Sequence, residues 1–240
     1  MYSMKRTYRK WVNVEDLRKF EIKIQQTDLL ILADRLLEKE AIHYTLEARR
    51  QIEEYIQQRP EFLTSLLPLE SDDLAPPIVR EMLEAAKSFG VGPMAAVAGA
   101  IAHYVGEALL RHTQEVIVEN GGDIYAFLNR PLKVSLLPWI KREKDLLKVE
   151  LAQDTMPISI CSSSSKIGHS LSLGEGDLAC VISPSGAMAD AAATMAGNLL
   201  KKGKNPQGLV KELSKNPCIL GGVLVFNGQV TLWGKIKIIH

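Results

Sequence analysis

Asp190 and Thr194 stand four residues apart in the segment Ala187 to Gly197, which is otherwise almost all Ala and Met. On a helix the two share a face. A carboxylate and a hydroxyl at that spacing form a hard oxygen pair able to hold a divalent cation. The same spacing also suits an exposed acid beside a Thr that bonds back to its own helix. Asp190 falls in the Ala-rich stripe, where an unpaired carboxylate is costly, so a cation or a donor is expected beside it. A second candidate is Asn120-Gly121-Gly122-Asp123. Two glycines after a strand permit positive φ or close approach of a ligand, and Asp123 offers a carboxylate at the rim. A plain hairpin turn reads the same way. The third is the stretch Ser162, Ser163, Ser164, Ser165, Lys166, Gly168 and His169. Its hydroxyls, backbone N–H groups and one cation suit an anionic group such as a phosphate, or else a polar connection. Asp123, Lys166 and His169 are the candidates for reactive roles. Ser162, Ser163, Gly121, Gly122 and Asp123 are the candidates for ligand contact.

Other chemistries lack their residues. No G-x-S-x-G elbow is present, which disfavours a serine hydrolase. The five histidines form no H-E-x-x-H cluster, and neither a Walker loop nor a dinucleotide G-x-G-x-x-G follows a strand. His103 fits a satisfied, half-buried residue better than a metal ligand.

The elements that must position these residues are legible in outline. Phe20, Ile22 and Ile24 alternate with charges, as a half-buried strand does, and after a break at Asp28 the run Leu29 to Ala33 makes the second strand of a hairpin. Helical periodicity covers Leu36 to Arg59, with Leu37, Ala41, Tyr44, Leu46, Ala48, Ile52 and Ile56 inward. A polar loop over residues 60–77 leads to a helix at Ile78 to Phe89. Another helix begins at Pro93 and runs to about Arg111. Its Ala95, Ala98, Gly99, Ala102 and Gly106 form one face almost without bulk, suited either to tight packing or to a ligand. Glu115 to Glu119 and Ile124 to Leu128 flank the Gly-Gly turn. Lys133 to Leu137, Leu146 to Leu151, Ile158 to Cys161 and Asp177 to Ser183 are further strands, with a charged turn at Trp139 to Asp145 and a turn at Gly174 to Asp177. A helix capped by Ser183 or Ser185 carries Asp190 and ends at Gly197 or Gly203. Leu209 to Leu213 is a short helix. Leu220 to Phe226 and Val230 to Ile239 close the chain as a hairpin around Asn227-Gly228. Hairpins separated by helices predict an α+β fold with antiparallel-rich sheets.

The totals set bounds. At 240 residues the chain suits a single domain, with two intimately packed halves, about 1–115 and 116–240, as the alternative. A net charge of +1 gives no reason to expect a nucleic acid partner. The three cysteines match no zinc site or disulfide framework, and free thiols suit a reducing compartment. The basic, polar start is no secretory signal. The apolar run Val91 to Leu110 carries His103 and Glu107 and fits a buried helix rather than a membrane span. The expectation is a soluble cytoplasmic protein with a small-molecule ligand, no membrane or nucleic acid partner, and a homo-oligomer as an open possibility.

The strand–helix unit Val181-Ile182-Ser183-Pro184-Ser185, followed by Ala189-Asp190-Ala191-Ala192-Ala193-Thr194, resembles the signature of ApbE-like proteins. Gly121-Gly122 resembles that family's Gly-Gly turn, Gly92 to Val105 the helix before it, and Ile160 to Ser163 the strand end leading to its Thr-Ser-Gly segment. The resemblance implies an ApbE-like fold and, from the family's FAD-dependent FMN transferases, a flavin or nucleotide ligand (FAD or FMN) with Mg²⁺ on Asp190 and Thr194. Two motifs depart from the transferase pattern. Ala95, Ala96 and Val97 stand where the transferases carry a Lys, and Gly168 to Gly174 lacks their Asp-Pro-x-Thr-Gly. The chain is thus similar to a cytoplasmic branch of the superfamily. It is either a transferase acting on a flavin or nucleotide, or a non-catalytic binding or assembly protein that retains the fold and uses its small-faced helices for subunit contact.

Overall fold

The computed structural model describes residues 14–136, 147–163, 178–200 and 205–239. Alternating apolar residues lay down β1 (Arg18–Ile24), with Phe20 and Ile22 buried, and β2 (Thr27–Ala33) returns along it. The reversal is at Gln25-Gln26, where Gln25 takes φ 51°, and not at Asp28, which lies within β2. α1 (Glu38–Gln58) buries Ala41, Thr45, Ala48, Ile52 and Tyr55. Leu46 lies off that stripe, half exposed, contrary to the inward position its sequence context suggests. The loop of residues 60–77 contains a short helix, α2 (Glu61–Thr64), whose Phe62 is fully buried against Tyr55. α3 is Pro77–Phe89. Pro93–Ala96 forms a 3-10 turn, and α4 (Val97–Leu109) then starts afresh. β3 (Val116–Asn120) and β4 (Asp123–Phe127) follow, then β5 (Leu132–Leu136), β6 (Leu147–Leu151), β7 (Ile158–Ser163) and β8 (Leu178–Ser183). α5 (Gly186–Leu199), α6 (Pro206–Leu213), β9 (Gly221–Phe226), β10 (Gln229–Gly234) and β11 (Lys237–Ile239) complete the chain.

Every described strand pairing is antiparallel. An eight-stranded sheet runs β1-β2-β3-β4-β7-β8-β9-β10, and a three-stranded sheet runs β11-β6-β5. The arrangement is α+β. The segment after Asn227-Gly228 is not one strand. β10 ends at Gly234, which takes φ 83°, and β11 leaves to pair with β6 in the smaller sheet. Period-two alternation sorts side chains to two cores. On one face Ile31, Val118, Tyr125, Cys161 and Val181 meet the helices. On the other, Leu30, Leu32, Ile160 and Ile182 meet Leu132, Val149 and Leu151 of the smaller sheet. Among the described residues no single helix is long and apolar enough to cross a membrane.

The packing that places the site is the crossing of α4 and α5. A methyl group on Gly99 would overlap the Gly186 carbonyl oxygen, and one on Gly186 would overlap that of Gly99. One turn and two turns on, His103 and Gly106 of α4 lie on the Tyr125 ring. His103 stacks on it with centroids 5.0 Å apart, and a Cβ at Gly106 would strike the ring. The glycine face of α4 is therefore taken up inside the chain. Gly99→Val must push the helices apart, because its side chain would meet the Gly186 carbonyl oxygen of the backbone as well as Asp190 Cβ and Cys161 Sγ, and is expected to lower stability by at least about 3 kcal/mol. Chemical denaturation read by circular dichroism measures this. A loss well under about 1 kcal/mol would show that the crossing is loose.

Candidate functional site

At one end of the larger sheet, four chain segments converge. The turn between β3 and β4 brings Gly121 and Gly122 there in positive φ (69° and 110°), with Asp123 opening β4. The Gly122 N–H donates to Glu119 Oε1 at 2.7 Å. Asn120, whose side chain is buried, donates from Nδ2 to the Ala98 carbonyl at 3.1 Å and so ties the turn to the first turn of α4. Asp123 Oδ1 accepts the Ser162 N–H at 3.0 Å, which fixes the end of β7 against the start of β4. Among the described residues a Cβ at Gly122 would meet no heavy atom within 4 Å, so they leave the space in front of the turn open.

Asp190 reaches this end from α5. α4 has no side-chain cap of its own, and helix starts leave their first N–H groups without partners. The Asp190 carboxylate supplies them. Its Oδ2 accepts the Gly99 N–H at 2.9 Å, and the Ala98 N–H also bonds to it. The donor that an acid in an apolar stripe demands is thus the neighbouring helix. α4 returns the favour. His103 Nδ1 accepts the Gly186 N–H at 3.1 Å, which places the ring proton on Nε2, 3.3 Å from Glu107 Oε1. Ser185 caps α5 from its own side by accepting the Met188 N–H, while Ser183 Oγ accepts the Ser185 N–H. Thr194 lies half-buried one turn beyond Asp190. Ser163 is buried on β7. Lys166 and His169, with the turn at Gly174 to Asp177 and the segment Trp139 to Asp145, lie outside the described residues.

The two acids share a field. Burial pushes the Asp123 carboxyl up to about 7 against the opposing Ser162 and Cys161 hydrogen bonds, with Glu119 adding to the rise. Asp190 is held well above the carboxylate range, first by burial and then by the charge of Asp123, while the Gly99 and Ala98 N–H groups oppose this. The Cys161 thiol lies beside both. Its Sγ is 3.6 Å from the Gly186 carbonyl oxygen, and burial followed by the charges of Asp123 and Asp190 raises it. Among the described residues no group of three or more His, Cys, Asp or Glu side chains is gathered for a metal, so any cation here would draw on hydroxyl and carbonyl oxygens beside Asp190.

Sequence reasoning singled out Gly121, Gly122, Asp123, Ser162, Ser163, Asp190 and Thr194, and all seven lie on the segments that meet here. It passed over Glu119, Cys161 and Asn120's bond to α4. Alternation along β4 and β7 was the available signal for Cys161, since Cys161 falls on the Asp123 face of the sheet. Nothing local marks Glu119 as turning back onto its own hairpin.

Two stability measurements test this geometry. A carboxyl raised on folding supports the folded state in its protonated form. That support is complete below the unfolded value of about 4 and is lost as pH climbs through the folded value of about 7. The ligand-free protein is expected to lose melting temperature across that window, and Asp123→Asn to flatten the loss. A wild-type profile that rises with pH there would contradict the burial. Asp190→Asn keeps an acceptor for α4 and is expected to be neutral or stabilising without ligand. Asp190→Ala strips the cap and should cost about 1–2 kcal/mol. Equal losses from the two would refute the capping role.

Comparison with known proteins agrees with this architecture. Residues 9–215 match the family model described as AbpE bacteria. A UPF0280 protein of Archaeoglobus fulgidus is 40% identical over 189 residues, covering 77% of this chain and 76% of that one. A UPF0280 protein of Methanocaldococcus jannaschii is 34% identical over 228 residues, with 91% of each chain covered. Among solved structures, the ApbE protein of Thermotoga maritima superposes with a TM-score of 0.58 at 12% identity, over 90% of this chain and 96% of that one. The flavin transferase ApbE of Vibrio cholerae gives 0.58 at 11% identity, over 90% and 97%. Those two share the fold. With the family model spanning most of its length, the chain belongs to the ApbE-like family described as AbpE bacteria.

Proposed function

We propose that this protein binds a flavin- or nucleotide-type ligand together with a divalent cation, at the end of the sheet where the Gly121-Gly122 turn, the end of β7 and the crossing of α4 and α5 meet. The observation that carries the reading is the pair of buried carboxylates, Asp123 and Asp190, which have only neutral donors around them among the described residues. A buried negative pair of this kind is relieved by a cation. The donor set fits a hard one such as Mg²⁺: the Asp190 carboxylate, the Thr194 hydroxyl and backbone carbonyls from the Gly92 to Gly99 segment. The open space before Gly122, where a side chain would stand on any other residue, suits a flat ligand lying against backbone. Kinship with proteins called flavin transferases supports the ligand class.

In this reading the cation supplies charge neutralisation to a phosphate-bearing ligand. Asp190 orients that cation while remaining on the start of α4. Gly121 and Gly122 shape the floor, Asp123 holds the floor to β7, and Ser162 and Ser163 face the anionic end. Lys166 and His169, which lie outside the described residues, are the sequence candidates for the groups that meet the reacting part of the ligand. A transfer step would draw on them, because Ala95, Ala96 and Val97 offer no cation at the start of α4. The alternative, in which the small-faced helices serve subunit contact, loses its premise, since Gly99, Gly106 and Gly186 are filled from within the chain.

Calorimetry with FAD or FMN, with and without Mg²⁺, tests the reading. Wild type is expected to bind more tightly with Mg²⁺ than without. Asp190→Ala and Thr194→Val should lose that gain, by at least about tenfold, or 1.4 kcal/mol. Gly122→Val should weaken the flavin itself. Heats that are the same for wild type and Asp190→Ala would remove the cation from the proposal.

A further inference from the structure

The larger sheet ends in two edges of different character. In the β1–β2 hairpin the two-residue turn Gln25-Gln26 makes Ile24 and Thr27 the first bonded pair, so Lys19, Glu21 and Lys23 direct their N–H and C=O groups outward. All three side chains are exposed and charged, which guards an edge against further pairing. At the other edge, Asn227-Gly228 is a two-residue turn with both residues at positive φ, 50° and 75°. This is the type that fixes hairpin register. Phe226 and Gln229 flank it as the first bonded pair. Thr231 and Trp233 follow on the β9 side, and Val230, Leu232 and Gly234 turn their N–H groups away from β9. No residue from Gln229 to Gly234 is charged. Among the described residues no strand pairs with this edge. Val230 is 45% exposed, on the same face as Leu232, which packs on the core between the two sheets. Among the described residues the edge therefore continues an apolar surface outward, with no charge from Gln229 to Gly234 to repel a partner.

We propose that β10 pairs antiparallel with β10 of a second copy of this chain, about a two-fold axis at Leu232. An antiparallel edge is complementary to itself under a two-fold rotation, because each outward N–H meets the C=O of its symmetry mate. With the axis there, Leu232 and the partner's Leu232 exchange N–H···O=C bonds and the Gly234 N–H meets the partner's Val230 carbonyl. The Gly234 carbonyl already accepts the Ile236 N–H at 3.0 Å, so the pairing ends there, with Val230 beside the residue that has no side chain. The uncharged edge places no like charges opposite one another. β1 against β1 with the axis at Glu21 would oppose Glu21 to itself, which is destabilising. The pairing leaves the ligand site untouched and stands apart from the flavin reading.

Sedimentation velocity of the full chain over a dilution series decides it. Wild type is expected to sediment with the mass of two chains at high concentration and to dissociate on dilution. Val230→Pro removes one outward N–H and leaves the bonds of Gln229 and Thr231 to β9 intact. Val230→Lys adds the kind of charge that β1 carries. Both are expected to sediment as one chain with unchanged circular dichroism. If the proline variant fails to fold, the lysine variant decides, as does hydrogen exchange at the Leu232 and Gly234 amides, which should be slow in the dimer and fast after dilution. A wild type that is a single chain at every concentration, a dimer that survives Val230→Lys, or wild-type monomer that pairs only with an unrelated protein overturns the proposal.

Discussion

The bond between the Asp190 carboxylate and the first N–H groups of α4 is the interaction on which the site depends. A 3-10 turn ends at Ala96 and the α-helix restarts at Val97, so the chain needs an acceptor at a point where it has no cap of its own. An acceptor from another helix can arrive only if the backbones come within contact, and Gly99 and Gly186 permit that. The exchange is mutual: α5 gives its carboxylate to the start of α4, and α4 gives His103 Nδ1 to the start of α5. Each helix start is thus completed by the other, and neither would be satisfied at a larger separation.

The same closeness creates the electrostatic character of the site. Asp190 is carried under the sheet end where Asp123 already sits, and both lose water. Burial dominates the rise of each, and hydrogen bonds from N–H groups only moderate it. Cys161, one strand over from Asp123, is raised by the same burial and the same charges, so it acts here as a neutral filler and not as a thiolate. The architecture thus places two carboxyl groups where burial favours their protonated forms, and in the proposed reading a cation would take the place of that proton without reorganisation of the frame.

Much of this was legible in the sequence because it is periodic or local. The hairpin around Asn227-Gly228, the Gly-Gly turn at residues 121–122 and the stripe Ala41, Ala48, Ile52 are set by short-range chemistry. Asp190 in an apolar helix demanded a donor, and one is there. What was not legible is what depends on pairing across the chain. Asp28 looks like a break, yet the turn falls at Gln25-Gln26, because the register that buries Leu29 and Ile31 opposite Ile22 and Phe20 leaves Asp28 in the strand. The last strand looks continuous, yet Gly234 at positive φ sends Lys237–Ile239 to a different sheet. The glycine face of α4 suited either tight packing or a ligand, and tight packing is what the structure has; that the occupants are Tyr125 from the sheet and Gly186 from a helix 87 positions away is a match that spacing along one helix cannot reveal.

Infrared difference spectroscopy at neutral pH tests most directly whether a proton is held in the buried pair until a cation replaces it. The account predicts a protonated-carboxyl stretch in the ligand-free protein. It should be removed by Mg²⁺ with FAD or FMN and altered in both Asp123→Asn and Asp190→Asn. A spectrum with no such band before ligand, or one that persists unchanged after Mg²⁺ and flavin have bound, would contradict it.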